Sequence, residues 1–374
     1  MKTKITVCIV TIIYGLLVLN CFLKPADAFS ASERRKLAQR PELSLEAIGN
    51  GQFAADTEAY VTDQFPFRDE FRALKSQFAL GIMQKQDNNE IYYKDGYLCA
   101  MEYPMDENSI ERAGDIFESI YNKNIKGTDA NAYLCIIPDK NYFLAKGSHL
   151  SMDYEAFYKK VYENTPFLKP IEIRDLLGIE DYYKTDTHLR QEMIMDVAKR
   201  LGDEMNPSVK DTVSVQGTES SQYTTEKVDA PFYGVYYGQA ALPIEPDIIY
   251  YLTNDALDNC KVYNYEINQE NNEIPLYDIE KTTGRDPYEM FLGGNSSLIT
   301  IENPNATSDK ELVVFGDSFC RSIVPLLAEN YEKITLYDIR YLPSVYIGNY
   351  VTFSAQDVLF LYSTSVLNNS ITLK

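Results

Sequence analysis

The spacing of apolar and polar positions changes character along the chain. An unbroken apolar run, Ile5 to Leu23, opens the sequence behind two lysines. Residues 30–80 show the irregular apolar spacing of amphipathic helices, interrupted at Pro66. From residue 311 onward, short apolar runs alternate with segments of helical spacing, which is typical of a parallel sheet covered by helices on both faces. The pattern therefore predicts an α/β protein.

The apolar run at the N-terminus is long enough to cross a membrane, which takes roughly 17–25 residues. Ala26-Asp27-Ala28 resembles the small-residue site at which signal peptides are cleaved. The sequence therefore predicts export, and a cleaved signal peptide and a retained anchor both remain open. Lysines before the run place the rest of the chain outside the cytoplasm.

The chain divides into three predicted parts. Residues 1–28 are the signal peptide or membrane anchor, and residues 29–80 are a helical arm that packs on the main domain. Residues 81–374 form a three-layer α/β domain with a mostly parallel sheet flanked by helices. Within this domain, residues 207–305 are rich in Ser, Thr, Asn, Asp, Glu and Tyr, which indicates a β-rich insertion.

Two local signals stand out inside the predicted domain. Asp95-Gly96 lies between two β-type runs, which predicts a hairpin. Further on, apolar residues recur with helical spacing after "KTDTHL", which predicts a helix that begins near Thr187 and His188. The apolar positions of that helical face are Leu189, Ile194, Val197, Ala198 and Leu201.

Charge and cysteine content exclude several classes of function. The formal net charge is −20, and an acidic surface repels polyphosphate, so nucleic acid and anionic membranes are poor partners. The six cysteines show no paired CxxC spacing, which makes a metal site improbable. Cys135 and Cys320 lie in or beside apolar runs and are expected to be buried thiols.

The stretch "VVFGDSF", Val313 to Phe319, carries the first candidate for chemistry. A strand that ends at Gly-Asp-Ser and enters a helix places Ser318 at the carboxyl edge of the sheet, where open α/β sheets bind ligands. Gly316 permits a tight turn, and free N–H groups at the helix start can stabilise an oxyanion. Gly-Asp-Ser is also common in ordinary turns, so this signal alone is weak.

A nucleophilic serine needs a base, and the chain has only two histidines. His188, in "KTDTHL", follows Asp186 by two residues, and such a carboxylate can hold an imidazole in one tautomer. An isolated Asp-x-His is equally compatible with a surface turn. His149, in "KGSHL", has no carboxylate nearby and is expected to be a loop residue. One histidine and one carboxylate are too few for a metal site.

Together these motifs resemble a known family. "FGDSF" resembles the Gly-Asp-Ser block of the SGNH hydrolase superfamily. The order of Asp-x-His first and Gly-x-Ser-Phe last is similar to the alginate O-acetyltransferase group, which includes the DHHW-type proteins. The resemblance extends over nearly all of the exported chain, through "SERRKLAQRPELS", "DQFPFRDEFRALKS", "DGYL", "IPDKNYF", "KTDTHL", "GDSF" and "DVLFLYSTSVLNNS".

The resemblance implies a nucleophile at Ser318, a base at His188 and its carboxylate partner at Asp186. This sequence departs from the family motif Asp-His-His-Trp, because Thr187 and Leu189 replace its first histidine and its tryptophan. We therefore expect the departure to affect substrate specificity more than chemistry. The glycine and asparagine blocks that complete the oxyanion hole of SGNH esterases have no clear counterparts, which leaves the N–H of Ser318 as the expected donor.

The function implied is an extracytoplasmic O-acetyltransferase that acts on a cell-envelope or exported polysaccharide through an acetyl-serine intermediate. The family also implies a membrane-bound acyltransferase partner that supplies the acetyl group, and we expect no cofactor. A carbohydrate esterase with the same triad and a non-catalytic polysaccharide-binding protein are the alternatives. Lys140 and Arg340 are candidate substrate-binding cations, although solvated or structural charges would look the same in sequence.

Overall fold

The computed structural model of the chain describes residues 2–30, 32–206, 223–266 and 272–374. The chain forms two compact units. The first contains Met1–Tyr92 and Val235–Glu245, and the second contains Tyr93–Gly234 and Pro246–Lys374. Two stretches of the predicted β-rich insertion, 207–222 and 267–271, lie outside the described residues.

The regular elements of the described residues are as follows. The α-helices are α1 (Lys2–Leu23), α2 (Leu45–Gly49), α3 (Gln52–Asp63), α4 (Arg68–Gln77), α5 (Glu107–Ile120), α6 (Lys140–Leu144), α7 (Tyr154–Asn164), α8 (Met195–Met205), α9 (Val235–Ala240), α10 (Asp255–Asp258), α11 (Cys320–Leu327) and α12 (Thr364–Asn368). The strands are β1 (Phe29–Ser30), β2 (Arg35–Lys36), β3 (Ile91–Lys94), β4 (Tyr97–Ala100), β5 (Asn131–Ile137), β6 (Lys169–Ile171), β7 (Thr224–Lys227), β8 (Tyr250–Thr253), β9 (Lys261–Asn264), β10 (Glu273–Ile274), β11 (Leu298–Glu302), β12 (Glu311–Gly316), β13 (Lys333–Tyr337) and β14 (Asp357–Ser363).

The first unit is mostly helical. Helix α1 is long and apolar enough to cross a membrane, judged by length and composition only. The predicted arm is helical from Leu45 onward, whereas residues before it include the two-stranded ladder of β1 and β2. The side chain of Ser44 caps α2 by accepting a hydrogen bond from the Ala47 N–H, which fixes where the helical part begins.

An eight-stranded sheet forms the centre of the second unit, in the order β10-β9-β11-β13-β12-β14-β5-β6. The strands from β13 to β6 pair in parallel. On the other side, β11, β9 and β10 pair antiparallel and extend the sheet. The predicted β-rich region thus contributes three strands to the central sheet, and its remaining strands, β7 and β8, form a separate two-stranded sheet.

Helices cover both faces of this sheet. Buried residues of α8 and α11 join one apolar cluster with the sheet. Buried residues of α5 and α7 form a second cluster on the opposite face. The predicted three-layer α/β architecture with a mostly parallel sheet is therefore confirmed.

The two local predictions had different outcomes. The hairpin is confirmed, since β3 and β4 flank Asp95 and Gly96, which both have positive φ, 51° and 91°, as a type I′ turn requires. The helix predicted to begin near Thr187 and His188 begins instead at Met195. Leu189 is buried in the core but pairs with Tyr182 in an isolated β-bridge, so a local loop pairing replaces the first turn of the expected helix.

Candidate active site

Ser318 lies two residues beyond the end of β12, at the carboxyl edge of the parallel strands. The turn is tight because Gly316 leaves no room for a side chain. A Cβ at that position would lie 2.0 Å from Sγ of Cys320 and 2.7 Å from the carbonyl oxygen of Leu361. The glycine therefore lets the strand pass directly into α11 and sets the position of the serine.

A buried carboxylate holds this turn in place. Asp317 is 1% exposed and accepts a hydrogen bond from the Phe319 N–H at 3.0 Å. Its second oxygen accepts hydrogen bonds from the backbone N–H and the hydroxyl of Ser363, at 2.8 and 2.7 Å. Since Ser363 ends the neighbouring strand β14, Asp317 ties the serine turn to the sheet.

His188 lies in a loop that is held by hydrogen bonds within the loop and by hydrogen bonds to Asp247. The Tyr183 N–H donates to the carbonyl oxygen of His188 at 3.2 Å, which closes the loop. The carboxylate of Asp247 accepts hydrogen bonds from the N–H groups of Lys184 and Thr185, at 2.8 and 2.7 Å. It also accepts a hydrogen bond from the Thr185 hydroxyl at 2.6 Å. The loop is therefore fixed independently of the imidazole it presents.

The three residues singled out from the two motifs meet at this edge. Nε2 of His188 lies 2.8 Å from Oγ of Ser318. Nδ1 of the same ring lies 2.6 Å from Oδ1 of Asp186, which also accepts the His188 backbone N–H at 3.1 Å. Asp186 is buried, and Ser318 is partly exposed. The arrangement has the connectivity of a nucleophile, a base and a carboxylate that orients the base.

A tyrosine that the sequence analysis did not single out packs against the imidazole. The ring of Tyr288 stacks on the ring of His188, with 3.9 Å between centroids and 7° between planes. Burial raises the pKa of Tyr288, so the phenol stays protonated, and it lies 3.0 Å from the hydroxyl of Ser322. Tyr288 lies in the predicted β-rich region, and no spacing in the sequence connects it with position 188.

Lys140, predicted as a substrate-binding cation, is 2% exposed. Its ammonium donates to the carbonyl oxygens of Tyr183 and Lys184, at 2.9 and 3.3 Å. It thus supports the loop that carries His188. Burial lowers the pKa of Lys140 to about 8. Direct contact with substrate remains a prediction.

The lowered pKa of Lys140 predicts a specific dependence of stability on pH. Between about pH 8 and 10.5, the unfolded chain binds a proton at this lysine that the folded chain does not. The free energy of unfolding of the parent should therefore rise across this window relative to Lys140→Met. Urea unfolding of both proteins, measured at pH values from below 8 up to about 10.5, gives this difference. Parallel pH profiles for the two proteins would contradict the prediction.

Arg340, the other predicted cation, is paired within the chain. Its guanidinium donates to both carboxylate oxygens of Asp338, at 2.9 and 2.6 Å. Close to this pair, Arg321 in α11 is 2% exposed, and its NH2 donates to the carbonyl oxygen of Ser296 at 2.7 Å. Arg340 is thus held by Asp338, and binding of substrate by Arg340 remains a prediction.

The remaining histidine lies apart from this arrangement. His149 follows α6, and its Nδ1 lies 3.0 Å from the hydroxyl of the adjacent Ser148. Across the described ranges of the chain, no three His, Cys, Asp or Glu side chains are grouped so that they could hold a metal ion.

Part of the chain is similar to a known protein family. A family model described as DHHW protein matches residues 214–337, less than half of the chain. The matched region contains Ser318 and Tyr288 but begins after the loop that carries Asp186 and His188. No curated protein sequence matched the chain.

Solved structures match over more of the chain. PatB1 of Bacillus cereus, solved with a sulfonyl adduct, has a TM-score of 0.56 and 18% identity, and the alignment covers 74% of this chain and 95% of PatB1. A DHHW family protein from Eubacterium siraeum has a TM-score of 0.50 and 20% identity, with 75% and 93% of the two chains covered. At these identities the matches show the fold alone.

The chain is therefore an α/β protein whose central sheet is mostly parallel and carries helices on both faces. Within that class, its resemblance to DHHW-type proteins, which was inferred from the sequence motifs, is confirmed.

Proposed function

We propose that this protein is an extracytoplasmic O-acetyltransferase that modifies a cell-envelope or exported polysaccharide through an acetyl-serine intermediate. Ser318 is the nucleophile, His188 the general base and Asp186 the carboxylate that orients the base. The observation that carries the proposal is the pair of contacts made by one imidazole. Its Nε2 lies 2.8 Å from Oγ of Ser318 and its Nδ1 lies 2.6 Å from Asp186.

In the first half of the reaction, Oγ of Ser318 attacks the acetyl carbonyl while Nε2 of His188 takes the hydroxyl proton. The carboxylate of Asp186 then stabilises the positive charge of the imidazolium, whose ring stays stacked on Tyr288. The tetrahedral oxyanion forms next to the turn before α11, where the Ser318 N–H is the proposed donor. Collapse of this intermediate expels the leaving group of the donor, which takes the proton from His188, and leaves acetyl-serine.

In the second half, a sugar hydroxyl attacks the acetyl-serine carbonyl. His188 takes the proton of that hydroxyl, and collapse returns it to Oγ of Ser318, so the enzyme is regenerated and the sugar is acetylated. Water in place of the sugar would give hydrolysis with the same residues. Transfer is favoured here by the resemblance to DHHW-type proteins within the alginate O-acetyltransferase group.

The proposed location of the reaction is supported by the apolar N-terminal helix and by the family resemblance. Helix α1 can cross a membrane by length and composition, which agrees with export of the remainder. A membrane-bound acyltransferase partner would deliver acetyl groups to the outer side, where Ser318 passes them to the polysaccharide. This supply route removes the need for a soluble activated donor outside the cell.

A sulfonyl fluoride tests the nucleophile directly, since such reagents sulfonylate activated serines and PatB1 was solved with a sulfonyl adduct. We expect phenylmethylsulfonyl fluoride to add one sulfonyl group to the parent chain, and peptide mapping should locate it on Ser318. Ser318→Ala should gain no mass, whereas Ser151→Ala, which changes a serine outside the site, should react like the parent. Equal labelling of Ser318→Ala and the parent would refute the proposal that Ser318 is the nucleophile.

A second measurement separates transfer from hydrolysis. The protein is given an aryl acetate with and without an acetyl-free oligosaccharide, and the products are followed by mass spectrometry. Transfer predicts acetylated oligosaccharide that depends on Ser318. Release of acetate alone, at a rate that the oligosaccharide does not change, would support the esterase alternative and refute transfer.

A further inference from the structure

An exposed apolar stripe runs along α4 in the first unit. It covers α4 and the π-helical turn Phe78–Ile82 that continues it. Its side chains are between 49% and 71% exposed, and they recur every three or four residues on one side of the helix. The stripe consists of Phe67, Phe71, Leu74, Phe78 and Ile82.

The opposite side of the same helix is small or polar and faces inward. Ser76 is fully buried, and its hydroxyl accepts a hydrogen bond from the side chain of Asn88 at 2.9 Å. Arg72 donates to the carbonyl oxygen of Gly238 and pairs with Glu33. This is the reverse of an ordinary surface helix, which buries its apolar side. Exposed apolar patches of this kind mark interaction surfaces.

The stripe begins where the segment just before α4 contacts α1. The ring of Phe65 lies 6.4 Å from that of Tyr14 in α1 and 5.7 Å from that of Phe71 in the stripe. Pro66 and Phe67 line a groove together with four residues of α1, which are Ile13, Leu16, Leu17 and Asn20. Phe67 holds a left-handed backbone with φ of 60°, which is uncommon for a bulky residue.

The position of this contact along α1 sets the depth at which the stripe begins. Ile13 lies about 15 Å from the end of α1 at Leu23, at about 1.5 Å of rise per residue, and the hydrocarbon core of a bilayer is about 30 Å thick. When α1 spans the membrane, a surface that touches the helix between residues 13 and 20 lies within the outer half of the bilayer. The stripe is continuous with that surface.

The charge distribution also permits this placement. Residues 1–92 contain equal numbers of basic and acidic residues, so the net charge of −20 arises entirely in the rest of the chain. The acidic composition that argues against membrane contact for the chain as a whole does not apply to this part.

We propose that α1 is retained as an anchor and that the stripe Phe67, Phe71, Leu74, Phe78 and Ile82 lies in the outer leaflet of the same bilayer. The polar side of α4 then faces the protein, while the aromatic and aliphatic side chains replace exposure to water with exposure to lipid. This surface does not depend on the chemistry proposed for Ser318.

The absence of tryptophan from the chain makes a direct test available. The full chain with Leu74→Trp is reconstituted into vesicles of phosphatidylcholine, or of phosphatidylcholine with brominated acyl chains, which quench tryptophan on contact. We expect a blue-shifted emission maximum in the first vesicles and loss of most of the intensity in the second. Leu74 is exposed, so the substitution should leave the fold intact.

Asp69→Trp is the matched control, because position 69 is also exposed but lies on a different side of α4, about 140° away at 100° per residue. We expect it to show little quenching by the brominated lipid. Equal quenching of Leu74→Trp and Asp69→Trp would overturn the proposed orientation. A chain that loses α1 during maturation and no longer floats with the vesicles would overturn the proposal as a whole.

Discussion

Replacing Asp186 with asparagine should lower the kcat for acetyl transfer from an aryl acetate by about 10⁴-fold, with little change in KM. In the proposed mechanism the carboxylate, 2.6 Å from Nδ1 of His188, accepts the Nδ1 proton, which leaves Nε2 free to take the proton of Ser318. An asparagine can offer its NH2 group to Nδ1 instead. The proton then resides on Nε2, and the imidazole cannot act as a base.

The control for this variant is Glu118→Gln, which neutralises an exposed carboxylate on α5. Thermal unfolding of both variants should stay close to that of the parent, so that a loss of rate reports on the site rather than on folding. A decrease of less than tenfold in Asp186→Asn, with the fold intact, would show that His188 does not depend on Asp186 for its tautomer.

The meeting of the two motifs was expected from the family resemblance that they carry together, because each motif alone is a weak signal. A strand that ends in Gly-Asp-Ser places Ser318 at one edge of a parallel sheet, and an aspartate two residues before His188 is close enough to orient the ring. The strand and hairpin predictions succeeded because β-type runs and Asp95-Gly96 specify their geometry locally.

Other parts of the site depend on contacts that no local pattern encodes. Tyr288 reaches His188 from a region whose composition indicated only β structure, and its partner Ser322 lies on α11. Asp247 likewise fixes the loop before His188 from more than sixty residues away in sequence. The helix expected at His188 does not form there, because Leu189 joins the apolar core from a loop that is bridged to Tyr182.

Gly234 also packs against residues that are distant in sequence, and we expect its replacement to lower the reaction rate strongly. A Cβ at this position would lie 2.3 Å from the carbonyl oxygen of Thr185 and 2.4 Å from Cα of Asp186. Both atoms belong to the backbone and cannot swing aside. The neighbouring Phe232 exchanges two backbone hydrogen bonds with Asp247, at 2.9 and 2.8 Å, so the segment that carries Gly234 cannot retreat either.

In Gly234→Ala the loop must therefore move by about 1 Å, which displaces the carboxylate of Asp186 from the imidazole. A misplacement of that size costs about 10²-fold in rate, so kcat should fall by that factor while KM changes less. Gly49→Ala is the matched control, because a Cβ there meets nothing within 4 Å. If both glycine variants keep the parental kcat, then the close packing of residue 234 against Asp186 does not set the position of the carboxylate.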